Sequence, residues 1–465
     1  NSIEYQQRLV QKYLAHAKAS LSQKPDGLLT ICRNHNTDQY FFRTSPDIKK
    51  CLRHFNSPCP SIMRGGFAFQ CLFLHNDSMN ILQEIFRDHY EEIIYTLHPR
   101  PTEIENIDKM INCGDPSFGG AMYGCPECGH LHFVPFRCHS RFCPTCGNLY
   151  ARKRATAMAG KLVNCNHRHC VFTIPEELRP YFLEDRSRLD CLFNAVRSVV
   201  LRMFYRMNKS KNFVPGFICV LHTFGRPLEW NPHIHCLISE GGFSDDGFWR
   251  KVTHFNYTYL RNSFRTALLN ELESQIGPSF KKVKAKMYKV HNKGFYIYAK
   301  PALSDPKTVT EYIGRYLGRP VIATKRIDRY DKSADTVTFH YNRHEDDVYV
   351  EKTIPAIDFI KLLMQHIPEK NFKMIRYYGL YARHRETDKQ LRRARSAEQQ
   401  RTLVSFNRWR NSILLSFGYD PLCCPHCHTT MKILDIYYNH KRVSLEELYE
   451  RAMNRDRAAH WRSSA

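Results

Sequence analysis

The stretch His233-Ile-His-Cys-Leu-Ile-Ser239 has the composition of a β-strand, and its first and third residues are histidines. Successive side chains of a strand point to opposite faces, so His233 and His235 would project from the same face. The opposite face would carry Ile234, Cys236 and Ile238. We expect these apolar residues to pack against helices, which leaves the two imidazoles side by side on an open face where a metal ion can bridge them. The alternative is that both histidines are structural.

A second strand candidate, Phe217 to Phe224, precedes this stretch and is joined to it by a turn rich in glycine and proline. Two imidazoles alone hold Mg²⁺ or Mn²⁺ weakly, so a third protein ligand is expected. His222 on the preceding strand is the candidate, although the sequence does not fix the register of the two strands. Glu229 and Asn231 in the turn are the alternatives.

A helix is predicted from Asp305 to Gly318, because Asp305 is a suitable N-cap before a proline, and a glycine and a proline end the pattern. Tyr312 and Tyr316 are four residues apart, so both phenols would lie on one helix face. Gly314 between them costs about 1 kcal/mol of helix stability relative to alanine, which the close approach of a DNA backbone would explain. The alternative is that the tyrosines belong to an apolar stripe of the core.

Two near-identical motifs are separated by fourteen residues, Cys125-Pro-Glu-Cys128-Gly and Cys143-Pro-Thr-Cys146-Gly. This is the spacing of a zinc ribbon, in which four thiolates close a tetrahedral structural site around one zinc ion. The four cysteines of these motifs are the predicted ligands. Cys138 and His139 lie in the same loop. Either could replace one of these thiols, and the alternative is that both are side chains without a metal role.

Towards the other end of the chain, Cys423, Cys424 and Cys427 with His426 and His428 form half of a similar site. Its missing ligands would have to come from elsewhere in the chain. The alternative is a turn that carries free thiols.

The chain of 465 residues has 69 Lys and Arg against 45 Asp and Glu, a formal charge of +24. An excess of this size, distributed in clusters, favours a polyanionic partner over a merely solvated surface. The candidate DNA-binding residues are Arg315 and Arg319 beside the tyrosines, and Arg152, Lys153 and Arg154 at the start of a basic helix.

No apolar run approaches the roughly 20 residues that a bilayer crossing needs, and no signal peptide is evident. We therefore expect a soluble, cytoplasmic protein with no membrane partner. In a reducing compartment its 18 cysteines would be metal ligands or buried apolar residues.

The predicted elements of residues 161–330 follow the order strand, helix, strand, strand, helix, strand, helix. This order predicts an α+β domain with a mainly antiparallel sheet covered by helices on one face. A long helical stretch is expected within it, from about Glu177 to Met207. Residues 1–75 contain no motif that can be assigned, and residues 76–160 combine an amphipathic helix, Ser78 to Leu97, with the zinc-ribbon module.

Residues 331–465 form the last predicted part of the chain. They contain a hairpin candidate, Thr336 to Tyr341 with Val348 to Thr353, and a short helix near Ala356 to Gln365. A basic tail with the last cysteines follows.

Segments in one constant order match a known family: the double Cys-Pro-x-Cys between Cys113 and Cys146, His169-Cys-Val-Phe-Thr-Ile-Pro-Glu-Glu-Leu-Arg179, Leu221-His-Thr-Phe-Gly225, Asn231-Pro-His-Ile-His-Cys236, Tyr312-Ile-Gly-Arg-Tyr-Leu-Gly-Arg319 and Ile375-Arg-Tyr-Tyr-Gly-Leu380. Through these segments the chain resembles the two-tyrosine His-hydrophobe-His (HUH) transposases of rolling-circle insertion sequences. The resemblance implies a zinc-binding module before a nuclease domain of the replication-initiator and relaxase type. It places the paired histidines of the family at His233 and His235 and its paired tyrosines at Tyr312 and Tyr316.

This resemblance implies a bacterial, nucleoid-associated transposase that nicks single-stranded DNA at the ends of an insertion sequence. With Mg²⁺ or Mn²⁺ it would form a 5′-phosphotyrosine intermediate and transfer the strand to a target. The family often has His-Pro-His-x-His where this chain has Asn231, which favours His222 as the third ligand. The alternatives are a rolling-circle replication initiator or relaxase, and a non-catalytic zinc-ribbon DNA-binding regulator.

Overall fold

The computed structural model describes residues 79–209, 213–244, 247–252, 254–299, 314, 320–343, 346–382, 395–438, 441–444 and 446–447, and the backbone of 29–34 and 39–44. The chain divides into two compact units. The ribbon unit comprises Asn1–Ser78, Gly114–Phe136 and Cys423–Ala465, and the sheet unit comprises Met79–Cys113 and Arg137–Leu422. The segment expected to form one zinc ribbon is thus shared between both units.

The strands, in chain order, are β1 Leu29–Asn34, β2 Gln39–Thr44, β3 Gly119–Gly124, β4 Leu131–Pro135, β5 His167–Thr173, β6 Phe213–Phe224, β7 Trp230–Ser244, β8 Trp249–Lys251, β9 Ile297–Ala299, β10 Ile327–Asp331, β11 Thr336–Asn342, β12 Tyr349–Pro355, β13 Ile375–Gly379, β14 Lys432–Tyr438 and β15 Lys441–Val443. The helices are α1 Ile81–Asp88, α2 Tyr90–Thr96, α3 Pro101–Ile111, α4 Pro144–Ala159, α5 Arg179–Glu184, α6 Leu189–Met207, α7 Tyr257–Ile276, α8 Lys281–Val290, α9 Ala356–Met364, α10 Ala397–Phe406 and α11 Trp409–Phe417.

The large sheet of the sheet unit has the strand order β13-β6-β7-β5-β9, with β8 paired to the far end of β7. Every neighbouring pair is antiparallel. This confirms the predicted mixture of helices and antiparallel strands.

The apolar face of β7 packs against α6 and α7. Ile234, Cys236 and Ile238 are fully buried in one cluster with helix residues such as Phe193 and Phe264. Full burial of an Ile or Phe side chain stabilises a fold by about 1.5–3 kcal/mol, so this cluster holds the sheet against its helices. The prediction that this face packs against helices is confirmed.

The opposite face of β7 is less open than expected. Leu237 is buried there in a second cluster with Met158, Leu162 and Tyr381. His233, at the other end of the strand, remains partly exposed. The histidine face is therefore covered along part of its length.

The helical stretch predicted from about Glu177 to Met207 consists of two helices separated by a break. A 3₁₀ turn, α5 and a second 3₁₀ turn precede α6. At the second break, Asp185 is extended and its carboxylate accepts a hydrogen bond from the Ser187 amide at 3.0 Å. The local bond competes with helix continuation, which apolar periodicity does not reveal.

A second layer of the sheet unit contains the antiparallel sheet β10-β11-β12, helices α1 to α3 and α9. The hairpin of β11 with β12 and the following helix α9 lie where they were predicted. The predicted amphipathic helix is interrupted at His89, whose ring contacts the Ile85 carbonyl oxygen at 2.9 Å and the Asp335 carboxylate at 2.8 Å.

The ribbon unit contains the sheet β15-β14-β3-β4, in which β3 and β14 come from distant parts of the chain. A hairpin of β1 and β2 lies within the first 75 residues, where no motif was assigned. Of the residues described, no helix is both long and apolar enough to span a membrane.

Candidate metal centres

Three histidines converge at the end of the β6–β7 pair. His222 lies opposite His233 in the strand register, and His235 follows two residues later on the same face. One ring nitrogen from each of the three lies within 4.8 Å of the others. The strand register, which the sequence left open, therefore brings His222 to the other two.

The turn between β6 and β7 sets this register. The Gly225 amide donates to the Glu229 carbonyl at 3.1 Å, and Leu228 adopts a left-handed backbone with φ of 70°. A bulge between His222 and Phe224 shifts the pairing just before the turn. Together these irregularities decide which residues of the two strands face each other.

His366, from the loop after α9, fixes this turn from the side. Its Nε2 lies 2.9 Å from the Leu228 carbonyl oxygen, and its Nδ1 lies 3.1 Å from the Thr223 hydroxyl. A carbonyl oxygen only accepts, so Nε2 donates and Nδ1 accepts. Burial lowers the pKa of His366 to about 3, so the ring stays neutral near pH 7. His366 is far from Thr223 in the chain, and no sequence signal connects them.

Hydrogen bonds orient the two rings of the predicted pair. His233 Nδ1 lies 2.7 Å from the Asn231 carbonyl oxygen and must donate to it, which leaves a lone pair on Nε2 of the neutral ring. His235 Nδ1 lies 3.0 Å from Nε2 of His169, a buried residue of β5. The two Nε2 atoms of the pair are 3.1 Å apart. Burial lowers the pKa of His233, which favours the neutral ring that metals bind.

The donor set fits a divalent metal. Two ligands at about 2.1 Å from one ion and at right angles to each other would lie about 3.0 Å apart, close to the observed separation. Metal-binding histidines commonly bond through the second ring nitrogen to a carbonyl or another acceptor, as His233 does to Asn231. His169 is the corresponding partner of His235, and sequence reasoning missed it because only the pairing of β5 with β7 reveals the contact.

The alternative ligands have different surroundings. A Glu229 carboxylate oxygen lies 3.9 Å from an Arg179 guanidinium nitrogen. The side-chain oxygen of Asn231 is buried and has no hydrogen-bond partner among the described residues. Asn231 therefore remains a possible oxygen donor beside His233.

The predicted tyrosine helix is mostly outside the described residues. Tyr312, Tyr316, Arg315 and Arg319 all belong to that part, and their roles stay predictions.

Gly314 is described and is helical. A Cβ atom built on Gly314 would lie 2.7 Å from the Cβ of Ala155 in α4. In the structure, the close neighbour of this glycine is thus a helix of the same unit.

The cysteines form two separate groups, which corrects the predicted single set of Cys125, Cys128, Cys143 and Cys146. In each group of four, the sulfur atoms lie within 4.8 Å of one another. The first group is Cys113, Cys138, Cys143 and Cys146 in the sheet unit, and the second is Cys125, Cys128, Cys424 and Cys427 in the ribbon unit. The two Cys-Pro-x-Cys motifs thus belong to different groups, and identical motifs cannot show which partner each one finds.

The first group lies between the end of α3 and the start of α4. Sγ of Cys146 is 3.5 Å from that of Cys113 and 3.6 Å from that of Cys138. Cys143 is the N-cap of α4. The side chain of Gln83 donates to carbonyl oxygens at the end of α3, including that of Cys113 at 3.2 Å, and so fixes the approach of that cysteine.

The basic residues of α4 are partly engaged within the fold. Arg152 is exposed and its guanidinium lies 4.9 Å from the ring centroid of Phe417, while that of Arg154 lies 5.1 Å from the centroid of Tyr150. Lys153 is partly exposed on the same helix. Contact of these three residues with DNA stays a prediction.

Two family models match this chain. One described as "Putative transposase" matches residues 216–388, and one described as "Transposase zinc-binding domain" matches residues 85–174. The first range contains the three converging histidines and both tyrosines. The second contains the whole first cysteine group but only Cys125 and Cys128 of the second group.

Two curated proteins are similar to the chain. The transposase for insertion sequence element IS801 of Pseudomonas savastanoi pv. phaseolicola is 31% identical over 297 residues, which is 61% of this chain and 71% of that protein. The "Putative transposase y4qJ" of Sinorhizobium fredii is 28% identical over 295 residues, 59% of this chain and 73% of that protein. No solved structure matches the chain.

Proposed function

This chain belongs to the transposase family that includes the IS801 transposase, and within it we propose that the chain nicks single-stranded DNA through a metal-dependent phosphotyrosine intermediate. The cleaved strands would be the ends of an insertion sequence, transferred to a target by rolling-circle transposition. The observation that best supports this chemistry is the convergence of His222, His233 and His235 on one point.

These three histidines would hold the metal, Mg²⁺ or Mn²⁺, on the partly exposed end of the histidine face. When bound there, a divalent metal withdraws charge from the scissile phosphate and stabilises the transition state. The carbonyl of Asn231 and the ring of His169 keep the two Nε2 atoms of the pair directed at one point.

The phenol oxygen of Tyr312 or Tyr316 would be the nucleophile. Its attack forms a phosphorus–oxygen bond as the bond to the 3′ oxygen breaks in line with it. The phenol proton passes to solvent and the leaving 3′ oxygen takes up a proton, so the products are a 5′-phosphotyrosine and a free 3′-OH. Because a phenol has a pKa near 10, nearby positive charge such as that of Arg315 or Arg319 would assist its deprotonation.

A second tyrosine would allow one cleaved end to be held while another strand is attacked. The phosphotyrosine preserves the free energy of the broken bond, so the free 3′-OH can reverse the reaction and join donor to target without nucleotide hydrolysis. A flexible single strand can bend into such a site more easily than a stacked duplex, which supports single-stranded DNA as the substrate.

The proposal is tested by covalent adduct formation. The full chain is incubated with Mn²⁺ and labelled single-stranded DNA from either flank of its own gene, and the adducts are separated on denaturing gels and mapped by mass spectrometry. We expect adducts at Tyr312 or Tyr316, a reduced strand transfer in each single Tyr→Phe variant and no adduct in the double variant. The same sequence as a duplex is the substrate control.

Two results would contradict the proposal. Adducts that form equally well in the double Phe variant would exclude both tyrosines as nucleophiles. A wild-type chain that shifts the DNA in a native gel but forms no adduct would indicate a non-catalytic DNA-binding protein.

A further inference from the structure

We propose that Cys125, Cys128, Cys424 and Cys427 bind a second structural zinc ion, which joins two distant stretches of the chain within the ribbon unit. The matched zinc-binding domain ends at residue 174 and so includes only half of this group. The other half lies beyond both matched ranges.

The sulfur positions suit a tetrahedral site. Zinc–sulfur bonds of about 2.3 Å place the sulfur atoms about 3.8 Å apart in a tetrahedron. The Sγ atoms of Cys125 and Cys427 are 3.3 Å apart, and those of Cys128 and Cys424 are 3.6 Å apart. Each close pair combines one cysteine from each stretch, and all four Sγ atoms lie within 4.8 Å of one another.

The two stretches have the same backbone hydrogen bonds. The Cys125 amide donates to the His130 carbonyl at 2.9 Å, and the Gly129 amide donates to the Cys125 carbonyl at 3.1 Å. In the second stretch, the equivalent bonds join Cys424 to Thr429 at 2.9 Å and His428 to Cys424 at 3.0 Å.

The residue after the second cysteine is left-handed in both stretches. Gly129 has φ of 70°, and His428 has φ of 62°. A non-glycine residue rarely adopts this conformation, so its repetition at His428 is informative. It indicates that Cys424-Pro-His-Cys427 is a metal-binding turn, or knuckle, like Cys125-Pro-Glu-Cys128, and not a turn with free thiols.

The sheet of the ribbon unit brings the two knuckles to the same end of the β3–β14 strand pair. Cys125 directly follows β3, β14 begins shortly after Cys427, and Gly124 of β3 pairs with Lys432 of β14. Met431 and Tyr123 pack against the cysteines. The sheet pairing thus aligns the knuckles even though Cys128 and Cys424 are 296 residues apart.

Four thiolates leave no ligand position for water, so the role of this zinc is structural. The loop that it closes contains the chain from Cys128 to Cys424. The entropic cost of bringing together the ends of a loop grows with loop length, and metal binding offsets that cost in the folded state. The C-terminal stretch is therefore a necessary part of the zinc-binding module.

The experiment counts zinc in the full chain by inductively coupled plasma mass spectrometry. We expect two zinc ions per wild-type chain, and one in the Cys424→Ser/Cys427→Ser variant. Cys423→Ser is the matched control, because this neighbouring cysteine lies outside the group, and it should retain both ions. Cys125→Ser/Cys128→Ser should lose the same zinc ion. A variant with both pairs of substitutions should therefore still contain one zinc ion per chain.

One zinc per wild-type chain, or no loss in the Cys424→Ser/Cys427→Ser variant, would overturn the proposal. Iron in the wild-type chain at this stoichiometry would overturn the choice of metal. If the variants are insoluble, titration of the unaltered chain with a mercurial thiol reagent gives the same count from the zinc that it releases. The count does not depend on nicking activity, so the failure of one proposal leaves the other intact.

Discussion

At the scale of single residues, the hydrogen bonds of His235 decide whether the histidine face can bind a cation. Without a metal, Nε2 of His169 can donate to Nδ1 of His235. Nε2 of His235 can then donate to Nε2 of His233. Metal binding needs the Nε2 lone pair of His235, so its Nδ1 must then donate to His169. The ring of His169 therefore has to accept a hydrogen bond in the metal-bound state.

Replacing His169 by Phe should weaken Mn²⁺ binding by about 10- to 100-fold, because His235 loses the acceptor that orients it. His169→Gln, which keeps an acceptor oxygen, should be affected less. Calorimetric titration with Mn²⁺ gives the affinities, and adduct yield against Mn²⁺ concentration gives the functional effect. A high Mn²⁺ concentration should restore cleavage in His169→Phe.

His254 is exposed, so His254→Ala serves as a control and should bind Mn²⁺ with the affinity of the wild-type chain. Unchanged Mn²⁺ affinity in a folded His169→Phe variant would show that His169 has no part in positioning His235.

At the scale of secondary-structure elements, Gly314 lies against helix α4 of the sheet unit. The glycine contacts Ala155 of α4, the helix whose first turn bears ligands of the first cysteine group. A larger side chain at either position would force the two backbones apart. The contact offers a structural reason for a glycine between the two tyrosines.

Gly314→Ala should destabilise the chain, although alanine in an unhindered helix is about 1 kcal/mol more favourable than glycine. The added methyl group lacks space beside Ala155 and should cost about 1–3 kcal/mol. Ala155→Gly should relieve the clash. The free energy of unfolding of the double variant should therefore be higher than the sum of the two single effects predicts. Urea denaturation of all four chains measures this coupling. A stabilising effect of Gly314→Ala alone would contradict the close contact.

Local patterns predicted the faces of the strands but not their partners. The alternation around His233 placed Ile234 in the core correctly, whereas the approach of His222 depends on a bulge and a turn held by His366. Likewise, the Cys-Pro-x-Cys motifs predicted metal binding but not their grouping. That grouping depends on the pairing of β3 with β14, which no spacing along the chain encodes.

At the scale of the whole molecule, the formal charge of +24 suits a transposase, whose family implies DNA binding. The charge would supply affinity for phosphates without sequence preference, whereas the proposed chemistry would depend on a few residues of the sheet unit. Substitutions at the metal site should therefore abolish DNA cleavage without loss of DNA affinity.

The role of the paired histidines is tested by comparing the wild-type chain with His233→Ala/His235→Ala in Mn²⁺ binding, DNA binding and adduct formation. We expect the variant to bind single-stranded DNA as the wild-type chain does, but neither to bind Mn²⁺ at this site nor to form a phosphotyrosine adduct. Cleavage that persists in the folded double variant would show that these histidines do not hold the metal for strand cleavage.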